Sequence, residues 1–245
     1  MKLRLLSLYP DQMNIYADRG NIIFFETRCR WRGIDFEVTR CGTGETFDPS
    51  QFDLIYMGGG QDRDQKLVAS DLIATKRDSL VQAKDDGAVI LAVCGGYQLL
   101  GSSYQLADEE IEGLGLVACK TVREPGPRLI GPVAITVNLD GTERTVAGFE
   151  NHGGRTYLGS GSTPLGKVQS GHGNNGSDGF EGVREGNLIG TYLHGPLLPK
   201  NSWLADHLIR LGLEHHHGTT VELEPLDDAF ETAAHETALR AALTG

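Results

Sequence analysis

Short apolar runs alternate with helix-spaced stretches through the first hundred residues. Leu3 to Leu8 predicts a first strand, Ile22 to Trp31 a helix closed by Gly33, and Phe36 to Thr39 and Leu54 to Met57 two further strands. Through residues 64 to 85, Leu67, Leu72, Ile73, Leu80 and Val81 recur at helical spacing and end at Asp86-Gly87. The run AVILAVC (88–94) is continuously apolar and shorter than ten residues, which fits a strand buried on both faces. This alternation predicts an α/β fold, a mostly parallel sheet flanked by helices.

Beyond residue 115 the pattern changes to strands and turns: Gly131 to Asn138, a turn at Asp140-Gly141, Thr145 to Phe149, and the glycine-rich stretch 170–187. An added antiparallel β portion is expected there. Helix then returns, with Trp203, Leu204, His207, Leu208 and Leu211 on one face before Gly212. In a last segment, Leu226 to Leu243, the residues Phe230, Ala233, Ala234, Thr237 and Ala241 fall on one stripe, with Asp227 and Asp228 leading and Arg240 near the end. No internal repeat or second boundary is visible, so residues 1–245 are expected to form a single domain.

Composition narrows the functional classes. Twenty-two basic against 33 acidic residues give a net charge of −11, which works against nucleic-acid binding. No stretch approaches the ~20 apolar residues of a membrane span, and Asp11 interrupts the opening apolar run, which reads as a strand in a cytoplasmic protein. The four cysteines (29, 41, 94, 119) form no CxxC pair, so neither a metal site nor a disulfide framework is expected.

One cysteine has a distinctive context. Cys94 ends a buried strand and is followed by Gly95-Gly96 and a helix-forming run, the layout of a nucleophile elbow. A thiol at a helix start is favoured as thiolate, although a plain buried cysteine ending a strand also fits. A base is then needed. His194 ends the run LIGTYLH and precedes Gly195-Pro196, which suits a ring presented at the sheet edge; a capping histidine is the alternative. His152, in FENHGGRTY, is a rival base, and the consecutive His215 to His217 read as a polar loop.

The segments MGGGQD (57–62), AVCGGYQLLG (92–101), GFENHGGRTYLG (148–159) and GTYLHGPLLPKN (190–201) together resemble the class I glutamine amidotransferases of the CobB/CobQ type. The resemblance implies a flavodoxin-like three-layer fold. It implies that Cys94 attacks the glutamine amide and His194 protonates the departing ammonia, with backbone donors at Gly59, Gly60 and Gly95 forming an oxyanion hole. Arg128, in PGPRLIG, matches a position that holds the glutamine α-carboxylate; a surface arginine is the alternative. Gln98, Asn151, His152 and Gly153 match other positions around the pocket.

The opening YPDQMNIYADRGN, HGNNGSDG and PLLPKN look most like the branch of that family acting on the stem peptide of lipid II, where ammonia passes to a MurT-like Mur ligase subunit. The resemblance thus implies a heterodimer, no cofactor in this chain, and ATP and Mg in the partner. The absence of GxxxxGK[ST] and of an appended synthetase segment agrees with this. A cobyrinate-type acceptor and a silent binding subunit are the competing expectations. Many class I enzymes carry Glu two residues after the catalytic His, where this chain has Pro196, so the orienting acid is expected from the partner.

Overall fold

A computed structural model describes residues 1–14, 18–106 and 109–244. Ile15 to Ala17 of the opening motif therefore lie outside the described residues. In chain order the elements are β1 (Lys2–Leu8), α1 (Arg19–Trp31), β2 (Asp35–Cys41), β3 (Leu54–Met57), α2 (Asp62–Asp71), α3 (Arg77–Asp85), β4 (Val89–Val93), α4 (Gly95–Leu100), β5 (Ser103–Leu106), β6 (Glu109–Glu112), β7 (Cys119–Arg123), β8 (Leu129–Leu139), β9 (Thr142–His152), β10 (Gly154–Leu158), β11 (Gly166–Ser170), β12 (Phe180–Glu181), β13 (Val183–Glu185), β14 (Leu188–Thr191), α5 (Ser202–His217) and α6 (Ala229–Thr244).

The main sheet has the order β13-β14-β4-β3-β1-β2 and is parallel except for β13. Its central strands β3 and β4 are wholly buried, as continuous apolar strands must be when helices cover both faces. From β1 the chain steps outward to β2, and from β3 it steps the other way to β4. Right-handed crossovers therefore place α1 and the α2–α3 pair on opposite faces. The order reverses between β1 and β3, so their carboxyl ends open a crevice of the kind where α/β folds bind ligands. Four site-bearing loops leave from that edge, after β1, β3, β4 and β14.

The antiparallel expectation resolves into two four-stranded sheets, β12-β11-β8-β9 and β10-β7-β5-β6, the second with one parallel pair, β5 with β7. Asp140 (φ +56°) and Gly141 (φ +75°) form the two-residue turn of the β8–β9 hairpin. The chain passes from β9 directly into β10, carrying residues 148–154 past the sheet edge.

Four local expectations differ from the structure. The stretch 64–85 is two α-helices joined by a π-helical segment, Leu72–Lys76, where Lys76 turns inward to pair with Asp71 at 2.6 Å. Gly212 does not end its helix: α5 continues to His217 and stops at Gly218 (φ +67°). A Cβ at Gly212 would lie 2.7 Å from Leu3 Cδ1, so this glycine serves close packing on β1. His215 to His217 are accordingly helical, in the last turn of α5, where positive charge suits the helix dipole. The predicted stripe of α6 faces outward, with Phe230 89% exposed, while Glu231, His235, Leu239 and Ala242 turn toward the protein. His235 anchors that side, pairing with Thr145 Oγ1 at 2.8 Å and the Lys200 carbonyl at 2.9 Å.

Beneath α1 the Arg28 side chain is fully buried and pairs with Asp206 of α5 (2.5 Å) and Asp228 ahead of α6 (2.6 Å). Among the described residues no helix is long and apolar enough to cross a membrane.

Candidate active site

Cys94 sits at φ +52°, ψ −109°, a conformation that side-chain-bearing residues avoid because Cβ crowds the backbone. The sharp turn from β4 into α4 imposes it, and the amide of Cys94 is fixed by the Thr191 carbonyl of β14 at 2.8 Å. Both following glycines are needed for space. A Cβ at Gly96 would lie 2.6 Å from the Met57 carbonyl oxygen and 2.9 Å from that of Gly58, while one at Gly95 would overlap Gln65 Nε2 and lie 3.0 Å from the Gly60 nitrogen. The elbow is thus pressed against the glycine loop after β3.

That loop is held from beneath. The Gly58 carbonyl accepts from the Gly96 amide at 3.1 Å, and the Gly59 amide donates to Asp18 Oδ2 at 2.8 Å. The resemblance placed Gly59 among the oxyanion donors; in this structure its N–H is committed to Asp18. Gly60 and Gly95 have no acceptor for their amides among the described residues, and the two lie side by side at the elbow.

His194 is buried and pinned to β9 by a reciprocal backbone bridge, His194 N to Phe149 O at 3.0 Å and Phe149 N to His194 O at 3.1 Å. Its ring meets Phe149 edge-on at 6.0 Å. Burial pushes its pKa down to about 4, and neighbouring His152, Lys200 and Arg128 act in the same direction against a smaller pull from Glu150. The ring is therefore neutral at ordinary pH and able to accept a proton.

The remaining predicted residues separate into distinct places. His152 lies stacked on Tyr192 (3.6 Å, 4° between planes) and pairs through Nδ1 with the Gly154 carbonyl at 2.8 Å. Gln98 receives Gln65 Nε2 at 3.0 Å and donates to the Tyr192 hydroxyl at 3.2 Å, so it ties α2 to the strand leading to His194. Arg128 is exposed; its Nε and Nη2 are held by the Asn151 side-chain oxygen (2.9 Å) and carbonyl (2.8 Å). A Cβ at Gly153 would approach Arg128 Nη1 at 3.4 Å, so glycine there leaves room for the guanidinium.

Sequence reasoning missed Asp18, Gln65, Tyr192, Glu150 and Glu181. Burial raises the Asp18 carboxyl to about 6 despite the Gly59 amide. Burial also works against ionised Glu150, but donors from His152 and His172 outweigh it and hold it below the ordinary carboxylate range. Glu150 is saturated by the His172 amide (2.6 Å), His172 Nδ1 (2.8 Å) and the Gly173 amide (2.9 Å). Glu181, buried behind Tyr192, accepts the Tyr192 amide at 2.6 Å and the Thr191 hydroxyl at 2.9 Å, and burial pushes its carboxyl up to about 8. Glu150 alone could have been suspected, since it lies within the segment GFENHGG.

The CobB/CobQ-like glutamine amidotransferase domain matches residues 4–202, a span that contains the elbow, the glycine loop, Arg128 and His194. The chain belongs to that family. In relatives of this glutamine amidotransferase the match extends further. The lipid II isoglutaminyl synthase (glutamine-hydrolyzing) subunit GatD of Staphylococcus aureus (strain N315) is 39% identical over 95% of this chain and 93% of its own length. The protein of the same name from Streptococcus pneumoniae (strain ATCC BAA-255 / R6) is 37% identical over 93% and 86%. A chain of the PurLQS structure from Thermotoga maritima superposes with a TM-score of 0.60 at 18% identity, covering 89% of this chain and 99% of that one, a likeness of fold. As an amidotransferase of this family the chain is an enzyme whose chemistry begins with glutamine.

Proposed function

We propose that the chain is the glutamine-hydrolysing subunit of a lipid II isoglutaminyl synthase. The observation that carries this reading is the strained elbow at Cys94, pressed against a glycine loop so that the amides of Gly60 and Gly95, without an acceptor among the described residues, lie side by side, with a buried, neutral His194 just beyond the neighbouring strand β14. Near-complete alignment with two subunits of that name supports the choice of acceptor.

Hydrolysis then runs through a thioester. Cys94 Sγ forms a bond to the side-chain amide carbon of L-glutamine while His194 takes the thiol proton, and the carbonyl electron pair moves to oxygen. Gly60 and Gly95 donate to that oxyanion, and as the carbonyl re-forms the C–N bond breaks and His194 returns the proton to the leaving ammonia. Water, deprotonated by His194, attacks the thioester and releases glutamate. Arg128, with two of its nitrogens fixed by Asn151, offers Nη1 to the substrate α-carboxylate.

Ammonia passes to a MurT-like Mur ligase subunit, which uses ATP and Mg to activate the D-glutamate carboxyl of the stem peptide. That partner and its lipid-linked substrate hold the heterodimer at the inner membrane surface. The partner also supplies the carboxylate that orients His194, since Glu150 is taken by His172 and Gly173 and position 196 is proline. Such a carboxylate would raise His194 from its depressed value and stabilise the imidazolium formed during turnover.

The test is glutamate release from L-glutamine by the purified chain, by Cys94→Ala, and by each with a co-expressed Mur-ligase-like partner. Activity that rises with the partner and vanishes in Cys94→Ala is expected. No release even in the presence of the partner would overturn the reading, and equal rates with and without it would remove the partner-supplied acid.

A further inference from the structure

The turn entering α1, part of the opening motif, is joined to both catalytic loops. Asp18 is fully buried; its Oδ2 accepts the Gly59 amide at 2.8 Å, and its Oδ1 has no hydrogen-bond partner among the described residues. Its backbone carbonyl accepts the Tyr56 hydroxyl of β3 at 3.1 Å. Asn21, equally buried, donates through Nδ2 to that hydroxyl at 3.0 Å and accepts the Leu198 amide through Oδ1 at 2.9 Å. Between them, a Cβ on Gly20 would lie 2.8 Å from Pro196 Cγ. Three residues of one turn, Asp18, Gly20 and Asn21, thus join β3 and the loop that follows it to the loop that follows His194.

The geometry of one peptide shows what the carboxylate does. In a trans peptide the C=O and the N–H point in opposite directions. The Gly58–Gly59 peptide gives its C=O to the Gly96 amide of the elbow and its N–H to Asp18. Asp18 therefore fixes the plane of that peptide and with it the direction of the next amide, that of Gly60, beside Gly95. Burying a carboxylate with one oxygen unmatched is an unfavourable way to fill space, and an apolar side chain could not hold the plane.

We propose that Asp18 is a positioning residue for glutamine hydrolysis, setting the Gly60 N–H toward the oxyanion that forms on Cys94, with Asn21 bracing the same turn against the His194 loop. The proposal rests on the glutaminase reading above. It goes beyond that reading by naming residues that touch neither substrate nor thiol.

Two reactions of Cys94 separate positioning from general damage. Glutamine turnover needs the oxyanion donors, whereas alkylation by iodoacetamide forms an S–C bond with loss of iodide and creates no oxyanion. In the full chain with its partner, Asp18→Ala should lower kcat for glutamate release by about ten- to a hundred-fold, as a misplaced oxyanion donor does. KM and the iodoacetamide rate should stay within about twofold. Asp18→Asn keeps an oxygen for the Gly59 amide and should recover most of kcat; Asn21→Ala should lose about threefold or more. Unchanged kcat in Asp18→Ala, an alkylation rate that falls in parallel with kcat, or an Asn variant as poor as Ala would each overturn the proposal. An inactive wild-type complex would instead strike the glutaminase reading itself and take this proposal with it.

Discussion

The backbone at Cys94 makes a measurable claim about stability. A residue with a Cβ held at φ +52°, ψ −109° stores about 1–3 kcal/mol of strain, which the surrounding structure must offset. Replacing Cys94 by Ala removes the sulfur and keeps the strain. Replacing it by Gly removes both, at an entropic cost of about 0.5–1 kcal/mol in the unfolded chain. The Gly variant should therefore be the more stable of the two by about 1–2 kcal/mol, since the methyl group lost adds little packing in so tight a turn. For a chain of this size that difference corresponds to a melting temperature higher by about 2–8 °C, readable by calorimetry on the two inactive proteins at one pH. The same comparison at Ala92, in the extended interior of β4, should run the opposite way, with glycine destabilising. A Cys94→Gly protein that melts below Cys94→Ala would refute the argument that the elbow is strained, and with it the view that the fold trades stability for a nucleophile held at a fixed turn.

Two further outcomes follow from buried ionisable groups. Burial pushes Glu181 up to about 8, so the folded chain keeps a proton that the unfolded chain loses near 4.5; stability from this group is present below 4.5 and is lost as pH rises toward about 8. Melting temperature should fall across that window, and Glu181→Gln, which mimics the protonated acid, should flatten the slope; an equal slope in both proteins would contradict the assignment. His194, lowered to about 4, should remain neutral in the isolated chain at pH 5.5, with about 3% protonated where an unperturbed histidine would be about 90% protonated. A histidine NMR titration with the His194 signal assigned by His194→Gln checks this, Lys200→Met should move the midpoint upward by removing a neighbouring cation, and a wild-type midpoint near 6.5 would remove burial as the cause.

The main sheet was readable because its strands are apolar runs of the right length: Leu54–Met57 and Val89–Val93 are buried on both faces, and nothing but a covered parallel sheet accommodates them. Cys94 was readable for a related reason, since a strand-cysteine-glycine-glycine run leaves few local geometries. What the sequence concealed depended on partners distant along the chain. Gly212 looks like a helix stop until Leu3 is placed against it, and the phase of α6 is set by His235 meeting Thr145 and Lys200 rather than by its many alanines. Asp18 lies in the opening motif without being marked out by it, and Glu181 lies in no motif; their importance arises from burial and from amides 41 and 11 residues away. Arg128 and Asn151 were both named from the resemblance, but their mutual hydrogen bonds appear only when β8 and β9 pair.

The buried guanidinium of Arg28 sets an order of events during synthesis. Its two counter-charges lie 178 and 200 residues downstream, so at ribosomal rates of 5–20 residues per second about 10–40 seconds separate the helix from the carboxylates that neutralise it. Seating α1 earlier would bury an unpaired cation, which is strongly unfavourable. The helix that begins at the Asp18–Asn21 turn therefore docks only when the last segments of the chain have emerged. Until then the turn cannot brace the glycine loop or the loop after His194. A chain truncated before Asp206 is therefore expected to carry Cys94 and His194 with α1 still undocked.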